Sequence, residues 1–299
     1  MNETITSLIM LVLTLLSVAA WVLAFRKLRA GGSSSGANGA QQAMVAVIAA
    51  VCAALFIVRW VAVVGYWQPL TSHLDGLLLL ATLLAVTILF IQHGAKLAGL
   101  AVFALPLLTL ILGWAICAAW WTYRPFNIET LDPVWKAVHL GGVYLGTLFA
   151  AMAAVFGGMY LYAQHRIRHK TDPIGAARFA SLEALESGII RSAMLGFALL
   201  TLGLVAGVVV LIEGSTWLGP HWWYSPKVVI AVIAWLVYAL LMNVRHATVF
   251  RGPRAAWLSI AGLVLLLAVY SIVSAMPDAV PGSSPTNVDQ DTASDGGSA

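Results

Sequence analysis

Read for apolar and polar positions, the chain is a succession of eight apolar runs separated by short polar connections. The runs fall near residues 5–25, 43–65, 76–93, 97–119, 140–163, 192–212, 228–246 and 255–275. Each is about 20 residues long, the length an α-helix needs to cross roughly 30 Å of hydrocarbon. The pattern predicts an all-α fold: a polytopic membrane helix bundle of about eight transmembrane helices. The first run lacks a basic n-region and a small-residue cleavage site, so it reads as a permanent helix.

The polar connections divide the chain further. Residues 1–30 hold the first helix. Residues 31–42, rich in Gly, Ser and Asn, read as a flexible linker that leaves helix one loosely packed. Residues 43–275 form the main membrane domain. The tail 277–299 is Ser, Gly, Asp and Pro with almost nothing to bury, and reads as disordered. Between the fifth and sixth runs, 177–191 places Leu182, Leu185 and Ile189 on one face with Glu183 and Glu186 beside them, predicting a short amphipathic interfacial helix. Thr171-Asp172-Pro173 is its expected start. Gly142-x-x-x-Gly146 and Gly203-x-x-x-Gly207 mark faces where helix backbones approach closely, without saying which helices meet.

Composition agrees with the pattern. Of 299 residues, 61% are hydrophobic and 9% are charged, against about a quarter charged in soluble domains. Too much apolar surface is present for a water-soluble core to hide, so the protein belongs in the cell membrane as a multi-pass protein. The net charge of +4 gives no argument for nucleic acid, because the basic residues lie in short loops. Twelve of the 16 Lys and Arg, among them Arg26, Lys27, Arg29, Arg166, Arg168, Arg191 and Arg254, fall on one side of the predicted bundle. The positive-inside rule makes that side cytoplasmic and puts both termini on the extracytoplasmic side. Cys52 and Cys117 lie inside apolar runs and form no CxxC pair, which argues against thiol-redox or zinc chemistry.

Candidate chemistry is concentrated on the extracytoplasmic side. Residues 217–227 read Trp-Leu-Gly-Pro-His-Trp-Trp-Tyr-Ser-Pro-Lys, between two runs that each cross a bilayer. Of 12 tryptophans, Trp114, Trp120, Trp121, Trp135, Trp217, Trp222 and Trp223 fall in two outer loops. Each loop carries a histidine at or near its end: His139 opens helix five, and His221 lies inside the second segment. Two readings stay open. One is an interfacial aromatic belt. The other is a flat slot walled by indoles, with His139 and His221 as axial ligands of a haem iron. His73 is a weaker outer candidate. Lys227, Lys136 and Arg124 are available to haem propionates. Arg59 lies about two turns inside helix two, where a charge is expensive; it either snorkels to the interface or pairs with a buried carboxylate of ligand or protein. The inner histidines, His93, His165, His169 and His246, read as ordinary interfacial residues at basic helix ends.

The order of these features resembles the cytochrome c assembly family, in particular its CcsA/HemX-like branch of YpjD-type eight-helix membrane proteins. An outer histidine opens a helix; a basic loop, a helix and an outer Trp-rich segment ending in Pro226-Lys227 follow; then comes a helix reading Ala234-Trp235-Leu236-Val237-Tyr238. Ser181-Leu182-Glu183-Ala184-Leu185-Glu186 and the 250–257 loop fit the same branch. The resemblance covers roughly 70–275. It implies haem b handled at the outer face, with Trp217, Trp222, Trp223, Pro226 and Lys227 matching the tryptophan-rich segment and His139 matching the histidine ahead of it. It also implies partners: the lipid bilayer, haem, and other cytochrome c assembly membrane proteins or a haem-biosynthetic enzyme. Three positions depart from the family pattern. Ser225 replaces the motif aspartate, no histidine follows His246, and Asn243 stands at the position of a late transmembrane histidine.

Two functions are therefore expected to compete. One is haem binding and presentation at the extracytoplasmic face during cytochrome c biogenesis. The alternative is a HemX-like regulator of haem biosynthesis, acting through its cytoplasmic loops without holding haem. A transporter is the weakest reading, since the spans carry almost no ionisable groups besides Arg59. An enzyme is not expected, because no paired carboxylates, Ser/His/Asp set or metal-spaced motif shares a face.

Overall fold

The computed structural model describes residues 3–30, 35–64, 73–94, 99–121, 133–169, 181–213, 226–243 and 252–275. They form eight helices: α1 Glu3–Ala30, α2 Ser35–Val64, α3 His73–Gly94, α4 Leu100–Trp121, α5 Pro133–Arg168, α6 Leu182–Glu213, α7 Pro226–Asn243 and α8 Pro253–Ala275. The first six are long and apolar enough to cross a membrane; α7 and α8 contribute the shorter apolar stretches Val228–Leu240 and Pro253–Val269. The chain is a polytopic membrane helix bundle, as the hydropathy pattern requires. The tail 277–299 lies outside the described residues.

Helices α1 to α4 pack in a ring, each against the next and α4 back against α1. Helices α5 to α8 repeat that arrangement, and α5 joins the two rings through α3 and α4. Consecutive helices run antiparallel, so the bundle has two ends. One is basic, with Lys27 and Arg29 closing α1 and Arg166 and Arg168 closing α5. The other receives the ends of α2 and α4 and the starts of α3, α5 and α7, and is the tryptophan-rich end.

Three expectations change at the connections. Helix α2 already begins at Ser35, so most of the predicted 31–42 linker is helical: a Gly/Ser-rich start costs propensity, but the long apolar run behind it carries the helix. Helix α1 is not loose. Met10, Leu13, Ser17, Ala20 and Ala24 are buried, and the Ser17 and Thr109 hydroxyls lie 2.8 Å apart across the α1–α4 seam. The predicted interfacial helix is not separate either. Ser181 caps α6, its hydroxyl accepting from the Ala184 N–H at 3.2 Å, and the helix then runs unbroken to Glu213. Its Leu185 and Ile189 are at most 1% exposed, so that apolar face meets the bundle and not the membrane surface.

One contact shows how the sequence settles its own break. Pro106 lies inside α4 and has no N–H for the carbonyl four residues back, that of Val102. The indole Nε1–H of Trp21 on α1 donates to the Val102 oxygen at 3.1 Å. A neighbouring helix thus satisfies the acceptor that proline leaves open, which hydrocarbon cannot do.

Candidate functional site

The two Gly-x-x-x-Gly motifs meet each other. A Cβ on Gly142 would come within 2.7 Å of the Gly203 Cα, and one on Gly146 within 2.7 Å of the Leu200 side chain. Glycine on both sides lets the α5 and α6 backbones touch, and theirs is the most extensive helix contact of the bundle.

That approach holds His139. Its Nδ1 lies 2.6 Å from the Gly203 carbonyl oxygen, and the ring rests in a notch where a Cβ on Gly207 would fall 2.7 Å from Nδ1 and 2.8 Å from Cε1. A carbonyl only accepts, so the bond requires the proton on Nδ1. The neutral ring then carries its lone pair on Nε2. A backbone carbonyl bonded to one ring nitrogen is the usual way a protein fixes tautomer and orientation so that the other nitrogen can ligate a metal.

A second polar set lies at the same end. Arg59 Nε donates to Asp75 Oδ1 at 2.5 Å, with side chains only 17% and 8% exposed. Of the two readings of Arg59, the buried-carboxylate one holds, and the carboxylate comes from the protein. Asp75 occupies the first turn of α3. Beside it, a Cβ on Gly76 would overlap the Tyr144 hydroxyl, so Tyr144 on α5 reaches across the seam between the two helix rings. Asp75 and the Gly203 carbonyl were both missed from sequence. A lone carboxylate at the mouth of α3, at the depth of Arg59 in α2, was the available signal for the first.

The remaining predicted residues are placed as follows. His221, Trp217, Trp222 and Trp223 lie outside the described residues, as does Arg124. Lys227 is in the first turn of α7, after Pro226, and its side chain is outside the described set, like that of His73. Trp114 packs against the main core, and Trp135 is partly exposed. The structure therefore brings His139, Arg59 and Asp75 to one end. The chemistry of His139 fits a haem ligand in one respect: its Nδ1 bond to the Gly203 carbonyl leaves the lone pair on Nε2. Among the described residues no group of three His, Cys, Asp or Glu side chains could hold a metal ion by itself.

At the basic end, Glu186 Oε1 accepts from the Gly252 N–H at 3.2 Å. Gly252 has φ +69°, a left-handed conformation that favours glycine, and its carbonyl receives the Ala256 N–H at 3.2 Å. It thus caps α8, with Pro253 at the first helical position. The starts of α6 and α8, residues 181–186 and 252–257, far apart in sequence, are joined by this bond.

The family model described as Cytochrome C assembly protein matches residues 70–279. Among curated relatives, a cytochrome c biogenesis protein CcsA of Prochlorococcus marinus (strain MIT 9312) is 33% identical over 115 residues, 38% of this chain and 35% of that protein. The protein of the same name from strain MIT 9303 is 25% identical over 255 residues, 74% of this chain and 76% of the relative. The one from Synechococcus sp. (strain RCC307) is 36% identical over 100 residues, 33% and 31% of the two chains. No solved structure matches the chain.

Proposed function

The chain belongs to the cytochrome c assembly protein family, and from that premise we propose that it is a membrane haem-handling protein of cytochrome c biogenesis, holding haem b at its tryptophan-rich end with His139 as an axial ligand. It is a multi-pass membrane protein of the cell membrane. The Lys and Arg bias supports an extracytoplasmic position for the tryptophan-rich end and for both termini.

The observation that carries the reading is the Nδ1 bond from His139 to Gly203, in a notch kept open by Gly207. The bond fixes the tautomer that leaves the lone pair on Nε2, the form in which imidazole ligates a metal. Haem, when bound, supplies the iron whose axial positions imidazoles fill. His221 is the proposed second ligand, Trp217, Trp222 and Trp223 the proposed walls, and Lys227 the proposed cation for a propionate. Arg59 is not a free cation for that purpose, because Asp75 already compensates its charge. Its proposed part is to hold α2 against α3 beside the site. Any covalent chemistry would belong to a complex in which this chain is one component, alongside other cytochrome c assembly membrane proteins.

The test is the absorption spectrum of the purified protein. A Soret band that is lost in His139→Ala supports the reading, and a spectrum indifferent to that change overturns it. A second reading has its own observation. The Glu186–Gly252 bond ties the start of α6 to the start of α8 at the basic end, the end through which a HemX-like regulator working on a haem-biosynthetic enzyme without holding haem would act. In that case loss of that bond, and not of His139, removes the biological effect.

A further inference from the structure

The end of α5 and the residue after it carry a second pair of groups that the haem reading does not use. His165 and His169 are four residues apart, and their ring centroids lie 4.3 Å from each other, tilted by 47°. The turn that joins them is intact, the His169 N–H donating to the His165 carbonyl at 3.1 Å. Both residues are exposed. They stand at the opposite end of the bundle from His139.

We propose that His165 and His169 form a surface chelate for a divalent transition-metal ion of the copper, nickel or zinc class. Four-residue spacing puts two imidazoles on one face of a helix, as in helical zinc sites. A ligating imidazole nitrogen sits about 2 Å from the metal, which places the ring centroid about 3 Å away, so two rings in adjacent positions of one ion have centroids roughly 4–5 Å apart. The observed separation is within that range before any metal enters. The position also favours a cation, because the C-terminal end of a helix carries the negative pole of its dipole. Arg166 and Arg168 oppose it by charge. Arg166 lies over the Tyr162 ring, 5.7 Å from the centroid, one turn before the pair. Two imidazoles fill only part of a coordination sphere, and water or a donor from a partner completes it. Imidazole donors suit copper, nickel and zinc, with Cu2+ held most tightly of these.

The experiment uses the full chain in detergent, purified through a tag without histidine, and titrated with Cu2+ against a competing chelator. One saturable equivalent is expected. His165→Ala and His169→Ala should each weaken it by at least about tenfold, the loss that even an outer-shell partner brings. A third variant, Ile167→His with His169→Ile, keeps the composition but sets the imidazoles two residues apart, on different faces; it should bind as poorly as the single variants. All three positions are exposed, and tryptophan fluorescence and gel filtration verify that the fold is kept. A copper electron paramagnetic resonance signal with nitrogen couplings that is lost in the variants supports the chelate. No saturable binding, binding unchanged in all three variants, or an equal loss in His93→Ala overturns it. None of these outcomes depends on haem.

Discussion

Arg59 and Asp75, 16 residues apart in sequence, face each other across the α2–α3 seam with Nε and Oδ1 2.5 Å apart. The pair therefore ties the last turns of α2 to the first turn of α3. In this low-dielectric setting the value of the pair lies less in its attraction than in the cost of losing one partner.

Asp75→Ala is therefore expected to destabilise the protein by up to about 3–5 kcal/mol, because it removes the carboxylate that faces the largely buried Arg59 guanidinium. The double variant Arg59→Met/Asp75→Leu should lose less than Asp75→Ala alone, since no charge is stranded. Thermal unfolding in detergent, followed by tryptophan fluorescence, measures both. A double variant less stable than the single would disprove this account.

The notch around His139 makes a prediction about glycines. Gly207→Val drives a side chain into the imidazole and should remove haem absorbance much as His139→Ala does, with the helices still assembled. Gly141→Ala is the control. A Cβ there meets nothing within 4 Å, and alanine should be neutral or stabilising by up to about 1 kcal/mol through helix propensity. The measurement is the ratio of Soret to protein absorbance across the set.

Gly142→Ala should separate the backbones of α5 and α6. A Cβ there would meet the Gly203 Cα and N at 2.7 Å and the Leu199 carbonyl at 2.8 Å. None of these atoms can swing away, so the two helices have to move apart. The expected result is a loss of roughly 1–3 kcal/mol, typical of overpacking, together with weakened haem retention, because the Gly203 carbonyl moves with α6. Unfolding and the spectrum should shift together. A stability loss with haem intact would separate His139 from the α5–α6 approach.

The break at Pro106 allows a rescue test. Trp21→Phe removes the donor to the Val102 carbonyl and should cost about 1 kcal/mol, the net worth of a hydrogen bond. Adding Pro106→Ala restores an N–H from within α4, so the double variant should recover most of the loss. No recovery would mean that Trp21 acts by packing alone.

The joint at the basic end predicts a graded series. Glu186→Gln keeps an acceptor for the Gly252 N–H and should be nearly silent. Glu186→Leu should lower stability by about 1 kcal/mol, the net worth of a hydrogen bond. Gly252→Ala should cost more than Glu186→Gln, through its φ of +69° and the Tyr160 hydroxyl, which would lie 2.9 Å from the added Cβ.

By itself the sequence determined that the chain crosses a membrane, that it folds as eight helices, which end is basic, and where glycine would let backbones touch. These are local properties: twenty apolar residues in a row declare a span whatever surrounds them, and charge at the helix ends declares the loops. Tertiary structure alone decided which groups meet. In hydrocarbon a lipid-facing leucine and a buried one look alike, so hydropathy does not reveal how each helix is rotated about its axis. Helix rotation turned His139 toward the Gly203 carbonyl, Arg59 toward Asp75 and Trp21 toward Val102. It also turned the 182–189 face into the bundle, where sequence alone predicted a surface helix. A backbone carbonyl is the same at every residue, so no reading of side chains could have named the acceptor that fixes His139.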